Sequence, residues 1–201
     1  MLPSVGSTSW HNRHLACFRK LDELLRAEAV QHPVVVIVGP GAVTRAAARL
    51  LNDAAEPRPN RLRKLIGDAA RYGDQVLRRI PGMPLRSLEP AEVDSSLSMP
   101  HRLVVVDCSR RVLAAVSCSM PHAECHRIDI AASPLPVQGD VVVAFNVICR
   151  LDDPPAGMFH VAAAVRPGGL LLMDERSAQV HLTAYPEFTP VAPKIYRRRE
   201  K

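Results

Sequence analysis

The sequence predicts an α/β fold, doubly wound, with a mostly parallel sheet flanked by helices. Three observations carry that expectation. Strand-like and helix-like segments alternate along the chain. The strand-like ones are continuous apolar runs, such as Val34 to Val38 and Leu103 to Val106, the pattern of strands buried on both faces. Glycine, proline or a small polar residue follows these runs, where the chain must turn. With 201 residues, 47% of them hydrophobic, the chain suffices for one full core and is short for two, so a single domain over 1–201 is expected.

Leu15, Phe18, Leu21, Leu24 and Leu25 recur at helical spacing, Gln31-His32-Pro33 breaks the pattern, and the first strand runs from Val34 to Val38, ending at Gly39. After Gly39-Pro40-Gly41, the segment Ala42 to Leu51 is rich in Ala, Arg and Leu and is expected to be helical until Asn52, Pro57 and Pro59 stop it. Asn60 then caps a further helix. Its Leu62, Leu65, Ile66, Ala69, Val76, Leu77 and Ile80 keep one face, and Pro81-Gly82 ends it. Leu103 to Val106 is the next strand, closed by Asp107, and Arg110 to Ser117 is a short helix.

His126 to Ile130 and Asp140 to Asn146 read as strands, Ala156 to Val165 as a helix, and Leu170 to Met173 as a strand after Pro167-Gly168-Gly169. Only 27 residues follow Asp174, so a closing antiparallel pair is compressed into Val180 to Arg199, with Lys194 to Arg198 as the last strand. The 18 prolines, 9% of the chain against an average of about 5%, stand between the apolar runs and act as punctuation.

No apolar run approaches the roughly 20 residues that span a bilayer, and no basic-then-apolar leader precedes Trp10. The expectation is a cytoplasmic protein with no membrane partner. Five scattered cysteines, an odd number, fit a reducing compartment rather than a disulfide framework. Aromatic residues at 4% argue against a base-stacking nucleic-acid platform but leave phosphate contacts open. The formal charge of +6 is concentrated: seven basic and two acidic residues lie from Arg58 to Arg79, five basic and one acidic from Lys194 to Lys201. The helix at Arg58–Arg79 and the tail at Arg197–Arg199 are therefore candidate contacts for RNA or another anionic partner, although a solvated helix face and a solvated tail have the same composition.

Cys118, His122, Cys125 and His126 form one Cys/His group and His11, His14 and Cys17 another, but the spacings match no common zinc finger and no metal is expected. His160 reads as a packed or surface histidine.

Ligands of a doubly wound sheet bind at the carboxyl ends of its strands, near the point where strand order reverses. The residues standing there are Gly39, Pro40, Gly41, Asp107, Asp129 and Asn146. Glycine lets a ligand approach the backbone, and a strand-end carboxylate accepts from ribose hydroxyls; equally, such a glycine can be a plain turn and such an Asp a helix cap. A dinucleotide site wants a third glycine where Thr44 stands and an acidic residue about 20 positions on, whereas Asp107 lies 66 residues beyond Gly41.

Five strings, in order, are more telling: Val34-Val-Val-Ile-Val-Gly39-Pro-Gly41, Leu103-Val-Val-Val-Asp107-Cys-Ser, Ile128-Asp129-Ile-Ala-Ala-Ser-Pro134-Leu-Pro136, Asp140-Val-Val-Val-Ala-Phe-Asn146-Val-Ile, and Val165-Arg-Pro-Gly168-Gly169-Leu-Leu-Leu-Met-Asp174. With Asp107 and Asp129 separated by 22 residues, the chain from roughly Leu15 to Glu175 resembles the class I S-adenosylmethionine-dependent methyltransferases. The resemblance implies a Rossmann-like fold and S-adenosylmethionine as cofactor. It implies that Gly39, Pro40 and Gly41 line the methionine part, that Asp107 binds the ribose, that Cys108 lies beside the adenine, that Asp129 and Ile130 address the adenine edge, and that Asn146 sits near the methionine moiety.

The chain departs from the family pattern at Ile37, where an acidic residue is usual, at Val43, where a third glycine is usual, and in a helical insertion over about 54–100. The resemblance implies methyl transfer to a small-molecule or macromolecular acceptor. The Asn/Asp-Pro-Pro-Tyr grip on a base amino group is absent at Asn146-Val147-Ile148, and neither a Pro-Cys nor a Thr-Cys nucleophile occurs. The alternative is a catalytically silent domain of the same fold that docks a partner through its basic helix and tail.

Overall fold

Alternation of side chains along each valine-rich run decides the architecture. In β1 (Val34–Val38) every residue is buried. Val35 and Ile37 join one core cluster, while Val34, Val36 and Val38 join another on the opposite face of the sheet. A strand that must satisfy two cores cannot carry polar residues on either side, which is why the run is continuous rather than alternating. A computed structural model of the chain describes residues 8–40, 42–44, 88–90, 97, 99 and 101–200.

The remaining strands are β2 (Ala42–Thr44), β3 (Leu88–Pro90), β4 (Arg102–Asp107), β5 (Glu124–Arg127), β6 (Gly139–Ala144), β7 (Val165–Met173), β8 (Phe188–Ala192) and β9 (Ile195–Arg198). The helices are α1 (Thr8–Ala27), α2 (Arg110–Ser119), α3 (Pro154–Ala164) and α4 (Glu175–His181). Seven strands form one sheet in the order β5-β4-β1-β6-β7-β9-β8. The first five are mutually parallel, and β9 runs antiparallel to both β7 and β8. Strand order reverses at β1, which has β4 on one side and β6 on the other.

Phe18, Leu21 and Leu25 of α1 pack with Val112, Leu113 and Val116 of α2 on the first face. Phe18 meets Phe145 edge-to-face with ring centroids 6.1 Å apart. On the second face lie Met158, Val161 and Ala162 of α3 and Ala178 of α4. Each fully buried aliphatic side chain contributes about 1.5–3 kcal/mol. The start of β1 is tied across the sheet: Val34 N–H donates to Asp140 Oδ2 at 2.7 Å, and Arg166 Nη1 donates to Asp140 Oδ1 at 2.9 Å.

The expected α/β order stands, with corrections. Residues 42–44 are not the start of a helix but a strand, paired antiparallel with β3; β-branched Val43 and Thr44 favour the extended backbone over the helical one. The strand expected at His126 to Ile130 lies two residues earlier. Beyond its end, Asp129 folds its carboxylate onto its own turn, Oδ1 accepting from Ala131 N–H at 3.0 Å. The Pro167-Gly168-Gly169 turn is instead part of the first half of β7, opposite an irregularity between Gly139 and Val141. The final hairpin fits, even with α4 ahead of it. The basic helix at Asn60 to Ile80, Gly41 and nearly all of the 54–100 insertion lie outside the described residues.

Candidate functional site

Four parallel strands deliver the expected residues to one edge of the sheet. Gly39 follows β1, Asp107 is the last residue of β4, Asp129 and Ile130 follow β5, and Asn146 follows β6. Gly39 takes φ +60° and its N–H donates to Val106 O at 2.8 Å, so the β1 loop is fastened to the tip of β4. Asp107 is level with Arg127 in the parallel register, and Ile128 N–H donates to the Asp107 carbonyl at 3.2 Å. The tip of β4 is thereby fastened to the chain just ahead of the Asp129-Ile130 turn.

Asp107 Oδ1 accepts from Ser109 N–H at 2.7 Å, and the Ser109 hydroxyl in turn caps α2 by accepting from Val112 N–H at 3.4 Å. The turn thus orients the carboxylate before any ligand arrives. Cys108, exposed between the acidic ends, has its thiol pushed up by burial and then by the negative charges of Asp107 and Asp129. Arg127 Nε donates to the Cys108 carbonyl at 3.1 Å. Ile130 is buried, and His160 of α3 lies with Nδ1 2.8 Å from its carbonyl oxygen. That oxygen only accepts, so Nδ1 carries the proton. His160 is a structural clamp on the Ile130 turn, as its apolar helix suggests.

On the other side of β1, Asn146 takes φ +53° although it is not glycine. Its N–H donates to Asp174 Oδ2 at 3.1 Å. Asp174 follows β7 and caps α4, with Oδ1 accepting from Ser177 N–H and Oδ2 from the Ser177 hydroxyl, both at 2.9 Å. Burial by itself pushes this carboxyl up, but the bonds from Ser177 and Asn146 outweigh it and hold it below the usual carboxylate range. Sequence reasoning passed over Asp174 as a site neighbour, although an Asp after an apolar strand with a Ser three residues on is a capping signal. No sequence pattern pointed to the contact between His160 and Ile130.

Two arginines of the basic tail are engaged within the protein. Arg197 bonds Glu28 and the Gly168 carbonyl, and Arg198 Nη1 donates to the carbonyls of Ala162 and Val165 at 3.3 and 2.5 Å. Because β9 is an interior strand of the sheet, these side chains engage acceptors of α3, of β7 and of the residue just beyond α1 instead of reaching outward. Among the described residues no group of three His, Cys, Asp or Glu is placed to hold a metal ion, and no helix is long and apolar enough to cross a membrane.

No protein-family model and no curated protein matches the chain. Among solved structures, the N-methyltransferase NodS from Bradyrhizobium japonicum WM9 is similar over 96% of this chain and 98% of its own, at 13% identity and a TM-score of 0.52. The same protein in complex with S-adenosyl-L-homocysteine gives 14% identity and a TM-score of 0.47 over 90% and 87% of the two chains. CalS10, an amino pentose methyltransferase from Micromonospora echinaspora, gives 17% identity and 0.44 over 82% and 50%. The end-to-end match to NodS joins the strand order and the antiparallel closing pair: this chain has the class I S-adenosylmethionine-dependent methyltransferase fold.

Proposed function

We propose that the chain binds S-adenosylmethionine at the carboxyl edge of its sheet and transfers the methyl group to a small-molecule or macromolecular acceptor. A shared fold does not by itself fix an activity. The observation that carries the reading is the adjacency of Asp107 to the start of the Asp129-Ile130 turn: Asp107 is level with Arg127 in the register and its carbonyl accepts from Ile128 N–H. A strand-end carboxylate suits two vicinal hydroxyls, and a buried isoleucine followed by turn groups suits the face and edge of a flat heterocycle. These residues fit the nucleoside half of the cofactor.

The fit on the methionine side depends on Gly39, Pro40 and Asn146, with a Val147 methyl standing over the Gly39 backbone. In this reading Asp107 orients the sugar, Ile130 shields one face of the base from water, and the Gly39 and Asn146 turns set where the amino-acid end lies. When bound, the cofactor supplies a methyl group on a positively charged sulfur. Aligning an acceptor with that group contributes much of such a rate without a dedicated base. Five free cysteines, three of them exposed, support a reducing cytoplasmic setting. A silent docking domain has less support, because Arg197 and Arg198 are engaged within the protein.

Calorimetric titration with S-adenosylmethionine, S-adenosylhomocysteine and NAD tests the proposal. Micromolar binding of the first two and none of NAD is expected. A folded protein that binds neither of the first two overturns it.

A further inference from the structure

The structure assigns Asp174 the role of a positioning residue that holds Asn146 in its left-handed conformation and so sets the 146–147 turn against Gly39. The effect on ligand affinity rests on the binding proposed above; the effect on the turn rests on geometry alone. Met173 and Ala144 are register partners at the ends of β7 and β6, and Asp174, one residue beyond β7, meets Asn146, two residues beyond β6. A helix cap needs one carboxylate oxygen, and Oδ1 serves α4 by accepting from Ser177 N–H. Oδ2 does something further: it accepts from Asn146 N–H at 3.1 Å as well as from the Ser177 hydroxyl.

That second bond falls on a residue with φ +53°, a conformation that side-chain-bearing residues adopt only with local support, Asn most readily. The next residue, Val147, stands where a β-carbon on Gly39 would be. A path of direct contacts therefore runs from Asp174 through Asn146 and Val147 to the β1 loop. The carboxylate presents acceptors to all three donors, which a neutral amide in its place cannot do.

The test compares the wild type with D174S, D174N, S177A, N146G and the double variant N146G/D174S. Amide hydrogen exchange at residue 146 is measured by NMR without ligand, and S-adenosylhomocysteine affinity by calorimetry. Serine is itself a good helix cap, so D174S keeps α4 and loses the reach to Asn146. D174S and D174N are expected to speed Asn146 exchange and to weaken binding by about tenfold, the scale of one charge-assisted hydrogen bond. S177A, which leaves the Asn146 bond, is expected to change both by less than about threefold. In the N146G background, where glycine takes a left-handed φ unaided, D174S is expected to cost less than about threefold.

Unchanged Asn146 exchange in D174S overturns the proposal. So does an equal loss of affinity on adding D174S to the wild type and to N146G, which would mean that the loss does not run through the conformation of Asn146. If the wild type does not bind S-adenosylhomocysteine, the binding proposal fails, and the exchange data still decide whether Asp174 holds the turn.

Discussion

A β-carbon built on Gly39 would lie 2.5 Å from Cγ2 of Val147 and 3.1 Å from its Cβ, and the glycine's φ is +60°. The protein's own packing therefore demands glycine at the position that the resemblance gives to the cofactor. Gly39→Ala is expected to destabilise the fold by about 1–3 kcal/mol, through the left-handed backbone and through overpacking. Val147→Ala in the same chain should recover the steric part and leave the backbone part. Urea unfolding of the two variants and the wild type measures both, and a Gly39→Ala protein as stable as the wild type would show that the two turns do not pack in this way.

Asp107 serves two partners in the proposed site: the Ser109 turn, which is observed, and a ribose. Asp107→Asn keeps an oxygen for Ser109 N–H and loses the charge. It is expected to unfold within about 0.5 kcal/mol of the wild type while S-adenosylhomocysteine binding weakens by about tenfold to a hundredfold, equivalent to roughly 1.4–2.7 kcal/mol. Full affinity in calorimetry would remove Asp107 from the site.

Cys17, packed in the core between α1 and the sheet, has its thiol pushed up to about 12 by burial, against the opposing charge of Lys194. The unfolded chain releases this proton near pH 8.5, well before the native protein does. The contribution is thus fully present below about pH 8.5 and is lost as pH rises toward 12. Between about pH 9 and 11 the wild type should lose stability faster than Cys17→Ala, whatever the offset between them at neutral pH. Parallel curves would mean that the native thiol ionises as freely as the unfolded one.

Arg198 covers the carbonyls of Ala162 and Val165 at the end of α3, where a cation also opposes the negative end of the helix. Arg198→Ala is expected to cost about 1–2 kcal/mol in thermal or urea unfolding, while the same change at Arg199, beyond the end of β9, stays within about 0.5 kcal/mol. Equal effects at the two positions would show that Arg198 is part of a solvated tail after all.

The core strands could be read from the chain because burial on two faces leaves no alternative to runs such as Val34–Val38 and Arg102–Asp107, and the turn residues after them mark the binding edge of any doubly wound sheet. The closing hairpin and α4 were harder to read. Their strands are half-exposed, so periodicity is weak, and the short α4 is specified mainly by its Asp174 cap. The strand at Ala42–Thr44 was misread because its partner, Leu88–Pro90, lies more than forty residues away, and local composition cannot report a pairing made across that distance. For the same reason, composition displayed the charge of Arg197 and Arg198 but not where it goes, which depends on β9 inserting beside β7. The α/β class and the identity of the strand-end residues follow from local composition and order along the chain. That Asp174 meets Asn146, that Val147 covers Gly39 and that His160 holds the Ile130 turn emerges with the folded chain, because each contact joins segments brought together by strand order rather than by spacing along the chain.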